Sequence, residues 1–489
     1  MMVFSSTFIF LILELVVLCE ASVHTIQIKD KHFVDTVTGK PFFIKGVDYQ
    51  PGGSSDVSEK QDPLSNPDAC ARDILLFQEL GINTVRIYSI NPDLNHDACM
   101  TMLAMAGIYL ILDVNSPLQK QHLNRYEPWT TYNEVYLEHV FKVVEQFSHY
   151  NNTLGFFAGN EIVNDKRSAQ YSPAYVKELI GTMKNYISAH SPRTIPVGYS
   201  AADDLNYRVS LSEYLECKDD DKPENSVDFY GVNSYQWCGQ QTMQTSGYDT
   251  LVDAYRSYSK PVFFSEFGCN KVLPRQFQEI GYLFSEEMYS VFCGGLVYEF
   301  SQEDNNYGLV EYQEDDSVQL LADFEKLKSH YQNIEFPSMK TLKETVQMEE
   351  TPSCAEDYEN LKIESKIAKN LGSSLIKKGV KVEKGKYIDI HEDQLSTNVT
   401  ILDKHGDRWN GPKKIEIRQS LTLADLEGEE QEDADEDKDD LKRKHRNSAS
   451  ISGPLLPLGL CLLFFTFSLF FLDFNVVLPF YRVNTYLKK

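Results

Sequence analysis

Residues Gly155–Asp165 read GFFAGNEIVND. The run TLGFF that leads into them is apolar and short, as a strand buried on both faces requires. It ends in a small turn and then in Asn160-Glu161. Pro261–Cys269, PVFFSEFGC, repeats the pattern: an apolar run that ends in a carboxylate, Glu266. Two acids delivered at strand ends make the placement of those ends the question for the rest of the chain.

Outward from these stretches the same beat recurs. Phe42–Val47, Thr84–Ile87, Tyr109–Val114, Leu154–Ala158, Ile195–Tyr199, Val227–Val232, Val262–Ser265 and Leu296–Phe300 are short apolar runs that read as strands. Helical periodicity fills most of the gaps, over Asp68–Leu80, Tyr132–Tyr150, Ser172–His190, Leu273–Phe292 and Ser317–Tyr331. Asn66-Pro67 and Pro173 are placed as helix starts, and Gly81 as a stop. Eight strands alternating with helices predict a (β/α)8 barrel. An open doubly wound sheet is the other solution for this pattern, but the chain lacks the glycine-rich dinucleotide fingerprint. Asp113, Glu161, Tyr235, Glu266 and Tyr298 each fall at or just past the C-terminal end of a strand. In a barrel those ends share one mouth, where active sites lie.

The chain has 489 residues with 42% hydrophobic composition, 28 Tyr and 28 Phe, enough for a large core. Its formal charge is −25. The run Asp425–Asp440 supplies −10 of this from eleven acids and one Lys, leaving −15 elsewhere. That balance excludes nucleic acid as a partner class. Residues 1–21 read as a secretory signal cut near Ala21, although the positive start is missing and Glu14 interrupts the run. Of nine Cys, Cys19 falls in this segment and Cys461 in an apolar tail. The other seven have no zinc spacing, so a secreted chain implies three disulfides and one odd thiol, with the pairing open. Asn151 and Asn398 stand in acceptor sequences for N-glycans.

Two carboxylates across one barrel mouth carry glycosidic chemistry. One protonates the leaving oxygen while the other attacks the anomeric carbon or activates water. Asn160, beside the first acid, is placed to hold a sugar 2-hydroxyl. Protons and a carboxylate suffice for this chemistry, so no metal and no cofactor is implied.

Several blocks in order, FFIKGVDYQPGG, DPLSNPDACARDILLFQELGINTVRIYSI, LILDVNSP, GFFAGNEIVND, VDFYGVNSYQWCG, FFSEFGCN and LVYEFSQEDNNYGLV, resemble the family 72 glycoside hydrolases, the fungal β-1,3-glucanosyltransferases. The resemblance spans about Phe42 to Cys354. It implies Glu161 as acid/base and Glu266 as nucleophile of a retaining mechanism. It implies glucan contacts at Gln50, Tyr88, Asp113, Asn160, Asp203, Arg208, Tyr235, Tyr298 and Tyr307, with donor and acceptor glucan chains as partners. Asp203 and Arg208 also fit an ordinary surface ion pair. The family's bridges would fall as Cys70–Cys99, Cys217–Cys354 and Cys238–Cys269, leaving Cys293 free. Two other functions share the scaffold: a plain β-1,3-glucanase, and a wall protein that binds glucan without catalysis. The intact acid pair argues against the second.

The segmentation expected is a signal over 1–21, the barrel over 22–335, an extension over 336–420 with a small β appendage, a charged linker over 421–453 and an apolar tail over 454–489. Residues 355–446 contain no Cys, so the cysteine-rich carbohydrate-binding module of some family members is absent. The tail reads as a glycolipid-anchor signal with Asn447 as attachment site, or as one membrane span; the seventeen residues past Leu472 and the cluster KRKHR fit neither cleanly. Either way the expected destination is the cell surface, at the plasma membrane and wall.

Overall fold

The structure is a computed structural model that describes residues 23–345, 349–365, 367–368 and 370–421. Three short strands come first, β1 (Ile26–Lys29), β2 (His32–Asp35) and β3 (Pro41–Phe42), paired as an antiparallel sheet. Eight parallel strands then close a barrel. They are β4 (Ile44–Asp48), β5 (Thr84–Ile87), β6 (Tyr109–Asp113), β7 (Thr153–Asn160), β8 (Val197–Ala201), β9 (Phe229–Ser234), β10 (Val262–Phe267) and β11 (Phe292–Val297). They follow one another around the ring in chain order, and β11 pairs back onto β4 with Gly294 opposite Ile44. Closure removes the open-sheet alternative and gives the (β/α)8 class that the alternating pattern implies.

The helices start where the local chemistry directs. The Asn66 side chain accepts from the backbone N–H of Asp68 and Ala69 and opens the helix Pro67–Leu80, which Gly81 closes at φ 74°. Asn133 does the same for Glu134–Phe147, accepting from Val135 and Tyr136. Such a cap contributes about 1 kcal/mol.

The barrel interior is layered. Its lower half is aromatic: the ring centroid of Phe229 lies 5.3 Å from Phe157 and 5.6 Å from Phe263. Phe33, from β2, closes the bottom at 6.0 Å from Phe229 and 6.1 Å from Phe263. Glycines make this room, since a Cβ on Gly198 would stand 2.3 Å from the Phe229 ring. Above the aromatic layer, Arg86, Ser200, Asn233 and Ser265 are fully buried and polar. They form the floor of the mouth.

Three elements differ from the sequence-based expectation. The last barrel strand is Phe292–Val297, not Leu296–Phe300. Gly294 and Gly295 disguise it in sequence, yet a Cβ on Gly294 would come 2.0 Å from the Ile44 carbonyl oxygen, so β11 needs glycine to reach β4. The predicted helix Leu273–Phe292 is two short helices, Glu279–Leu283 and Glu286–Tyr289, preceded by a loop that contains Pro274. The predicted helix Ser317–Tyr331 begins only at Ala322. Residues Val318–Leu320 form β13, with Val318 and Leu320 buried and Gln319 turned outward. β13 pairs antiparallel with β12 (Val310–Tyr312) and parallel with β14 (Ile401–Leu402).

Beyond Tyr331 the chain runs over the outside of the barrel as a belt, with a helix at Ser373–Lys378 and the short strand β14. Its anchors are spread around the ring. The Lys362 N–H donates to the Ala169 carbonyl, Val380 N–H to the Tyr186 hydroxyl, Lys386 N–H to Asp97 and Arg418 N–H to the Met105 carbonyl. Leu342, Tyr387, Leu395 and Ile415 are buried beneath it. Disulfides join Cys70–Cys99, Cys217–Cys354 and Cys238–Cys269, and Cys293 is a buried free thiol. The second bridge fastens the belt to the barrel. Among the described residues no helix is long and apolar enough to cross a membrane. The signal segment, the charged linker, the apolar tail and Asn447 lie outside the described residues.

Candidate active site

Glu161 follows the fourth barrel strand and Glu266 lies in the seventh, so the ring sets them across the mouth from each other. Their surroundings differ. Glu266 is enclosed, with 7% of its surface exposed. The Tyr88 hydroxyl donates to its Oε1 at 2.9 Å and the Tyr235 hydroxyl to its Oε2 at 2.7 Å. Arg86 Nη1 adds a third donor to Oε1 at 3.3 Å. Burial pushes the Glu266 carboxyl up to about 7; Arg86 opposes the shift, a charged Glu161 adds to it, and the two tyrosine hydrogen bonds pull it back. Burial thus works against the ionised form that attack requires, and the three donors favour it.

Glu161 is half-buried and adopts φ 50°, a left-handed conformation uncommon outside glycine. Its N–H donates to the Ser200 carbonyl at 2.9 Å, and Asn233 Nδ2 donates to its Oε1 at 2.8 Å. Asn233 Oδ1 accepts from Ser200 at 3.1 Å and from Ser265 at 2.8 Å. One buried polar chain therefore runs beneath both acids, from Glu161 through Asn233 to the residue beside Glu266.

Arg86 is the cation of the site. Its side chain is fully buried and forks onto Asp113, Nε to Oδ1 at 3.1 Å and Nη2 to Oδ2 at 3.0 Å. Its guanidinium lies between the rings of Tyr88 at 4.3 Å and Phe157 at 4.7 Å. Asp48, at the end of β4, is also fully buried, and neither of its carboxylate oxygens has a hydrogen-bond partner among the described residues. Burial raises its carboxyl well above the ordinary range, and the Arg86 charge opposes the shift.

Four tyrosines wall the pocket around Glu266. Tyr298 meets Tyr88 at 6.4 Å, Tyr235 at 6.3 Å and Tyr307 at 5.2 Å, and Tyr235 meets Tyr307 at 5.6 Å. All four contacts are edge-to-face. Asn160 lies beside Glu161 and accepts from Ser200 at 2.8 Å. A cavity of about 640 Å³ opens along this flank, lined by Tyr88, Asp113, Asn160, Ile162, Arg125 and Tyr126 among others.

The structure thus gathers Glu161, Glu266, Asn160, Tyr88, Tyr235, Tyr298 and Tyr307 at one mouth. Asp113 lines the cavity as well, and Gln50, Asp203 and Arg208 support the mouth from behind or beside it. Gln50 is buried and accepts the N–H groups of Tyr88 and Ser89, both at 3.0 Å. Both Asp113 oxygens are occupied by Arg86. Asp203 accepts Arg208 Nη1 at 2.8 Å and the Tyr235 N–H at 3.0 Å. Arg208 is only 2% exposed while Asp203 is exposed, so the pair braces the Tyr235 backbone from the rim of the mouth. Asn151 is half-buried at the opposite end of β7, and Asn398 is exposed on the belt.

The sequence reading missed Arg86, Asn233, Ser200, Ser265 and Arg275. Arg275 is buried and donates to the carbonyls of Tyr298 and Tyr307, both at 2.6 Å, and to Asp323. It holds the loop that carries two of the four rings. Arg86 was legible: a charged residue within the apolar strand TVRI must face a partner.

Three comparisons relate this chain to known proteins. The sequence model of the family described as Glucanosyltransferase matches residues 15–335. The chain belongs to this family. It is 47% identical over 334 residues to the 1,3-beta-glucanosyltransferase gel2 of Aspergillus fumigatus, covering 68% of this chain and 70% of that relative. It is 49% identical over 317 residues to the 1,3-beta-glucanosyltransferase PGA4 of Candida albicans, covering 65% and 68%. Among solved structures it is similar to Saccharomyces cerevisiae Gas2p in complex with laminaritriose and laminaritetraose. That match has 40% identity and a TM-score of 0.61, covering 68% of this chain and 74% of that one.

Proposed function

We infer that this chain is a retaining β-1,3-glucanosyltransferase that cuts one glucan chain and joins the piece to another. The observation that carries this reading is the pair of acids with unlike surroundings. Glu266 is fixed by three donors, one of them the buried Arg86, and Glu161 faces it from a polar, half-open position.

A donor chain lies across the mouth with its scissile sugar over Glu266. A carboxylate oxygen of Glu266 attacks the anomeric carbon as Glu161 gives its proton to the glycosidic oxygen. The C–O bond breaks, the reducing-end fragment leaves with that proton, and the retained chain is an ester of Glu266. Tyr88, Tyr235 and Arg86 keep the carboxylate oriented for this step. Glu161, now ionised, takes the proton from an acceptor 3-hydroxyl. That oxygen attacks the anomeric carbon, the ester bond breaks, and Glu266 returns as carboxylate. Two displacements restore the β configuration. Water is present at about 55 M, so an acceptor wins only when its effective molarity is higher, which positioning on the protein provides.

The signal segment, the glycan acceptor sequences, the disulfides and the apolar tail support export to the cell surface, with the tail as a membrane anchor. The substrate class is β-1,3-glucan, as the names of the fungal relatives indicate, and export to the surface would bring the enzyme to the glucan of the wall. Glu161→Gln and Glu266→Gln test the assignment, because a neutral amide neither attacks nor donates the proton. Each is expected to lose at least about 10²-fold in transfer rate with an unchanged circular dichroism spectrum. Turnover like wild type in either folded variant contradicts the roles given.

A further inference from the structure

The loops that follow β6 and β7 are joined side by side over the Glu161 flank. Ser172 Oγ donates to the Arg125 carbonyl at 2.7 Å, and the Tyr126 hydroxyl donates to Asp165 at 2.9 Å. The Arg167 guanidinium stands 4.8 Å from the Tyr126 ring centroid and 3.8 Å from Glu127. At the outer end of this seam Trp129 and Tyr171 meet edge to face, with centroids 5.4 Å apart. Trp129 is 53% exposed and Tyr171 is 40% exposed. By contrast Trp237 is 2% exposed. A single exposed aromatic is ordinary, but this is a pair, on a rigid seam, next to the cavity that begins at Asp113 and Asn160 and runs to Arg125 and Tyr126.

We propose that the Trp129–Tyr171 pair is an outlying glucan subsite, on which a sugar of a long chain rests after passing through the cavity beside Glu161. This rests on the glucanosyltransferase reading and extends it to chain length. The occupant follows from chemistry and continuity. A β-linked glucosyl ring carries its hydroxyls equatorially and shows C–H groups on both faces, so it covers an aromatic ring while its rim stays wet. Two charges of the seam are matched, Arg167 by Glu127 and Asp165 by the Tyr126 hydroxyl, which suits a neutral chain. A chain leaving the cavity at Arg125 and Tyr126 meets this seam next.

The test compares kcat/KM on laminaritetraose with kcat/KM on a long laminarin fraction. The ratio of long to short is expected to fall about tenfold in Trp129→Ala, to fall in Tyr171→Ala, and to recover in Trp129→Phe. A direct readout uses the Glu266→Gln protein, in which long laminarin should shift tryptophan fluorescence, and the shift should vanish with Trp129→Phe added. An unchanged ratio, or an equal loss on both lengths, overturns the subsite while leaving the enzyme reading standing. A wild-type protein that turns over neither substrate sinks that reading itself.

Discussion

At the scale of single residues, the site is a carboxylate made reactive by what touches it. Glu266 is drawn two ways: burial raises its affinity for a proton, while Tyr88, Tyr235 and Arg86 lower it. Removing one hydroxyl tips this balance in a known direction. In Tyr235→Phe the carboxylate loses the 2.7 Å hydrogen bond and its proton is held more tightly. The acidic limb of kcat/KM against pH, which reports ionisation of the free nucleophile, should therefore move to higher pH. A charge-assisted hydrogen bond is worth about 1.5–3 kcal/mol, so the rate at low pH should fall by at least about tenfold. A limb that moves to lower pH, or does not move, contradicts the role given to Tyr235. The two acids were readable from sequence because each closes an apolar run. Asn233, Ser200 and Ser265 were not, because a small polar residue at a strand end looks the same whether it faces solvent or bridges two acids. Arg275 was hidden for another reason: its partners are backbone carbonyls, which leave no mark in a sequence.

At the scale of elements, the barrel strands were legible because a parallel strand between helices and an interior must be apolar throughout. The failures have one shared cause, local pattern overridden by tertiary fit. Cys293-Gly294-Gly295 lacks strand character, yet β11 needs Gly294 to lie against β4 and Gly295 to lie against β10. Val318–Leu320 continues a helical period but is pulled into a sheet with β12 and β14. Beyond Tyr331 the sequence pattern fades, because the belt takes its order from scattered contacts with the barrel and not from its own periodicity. Its removal should therefore be costly. Truncation after Tyr331 deletes Cys354, opens the bridge to Cys217 and uncovers the surface beneath Tyr387 and Ile415. A disulfide of this kind contributes about 2–4 kcal/mol, and the lost burial adds to it. The truncated chain should be insoluble or melt well below the full chain, whereas one that ends after Leu421 should keep its activity and melting temperature. Full activity from the shorter chain would show that the belt is dispensable.

At the scale of the whole molecule, the barrel sets two acids across a mouth and joins them by a buried polar chain. It also lays aromatic rings around Glu266, and the chain belongs to the glucanosyltransferase family. The central claim is that the sugar held on Glu266 passes to another chain and not to water. For a double displacement the two carboxyl groups stand about 5–5.5 Å apart, a separation shared by retaining hydrolases, so the fate of the intermediate is read from its products. The most direct measurement incubates the purified protein with one purified β-1,3-glucan oligosaccharide and follows product lengths by mass spectrometry from the earliest turnover. Products longer than the substrate, formed together with shorter ones and without a steady rise in total reducing ends, are the result predicted. Shorter products alone, with reducing ends rising throughout, would contradict the claim and make this protein a hydrolase.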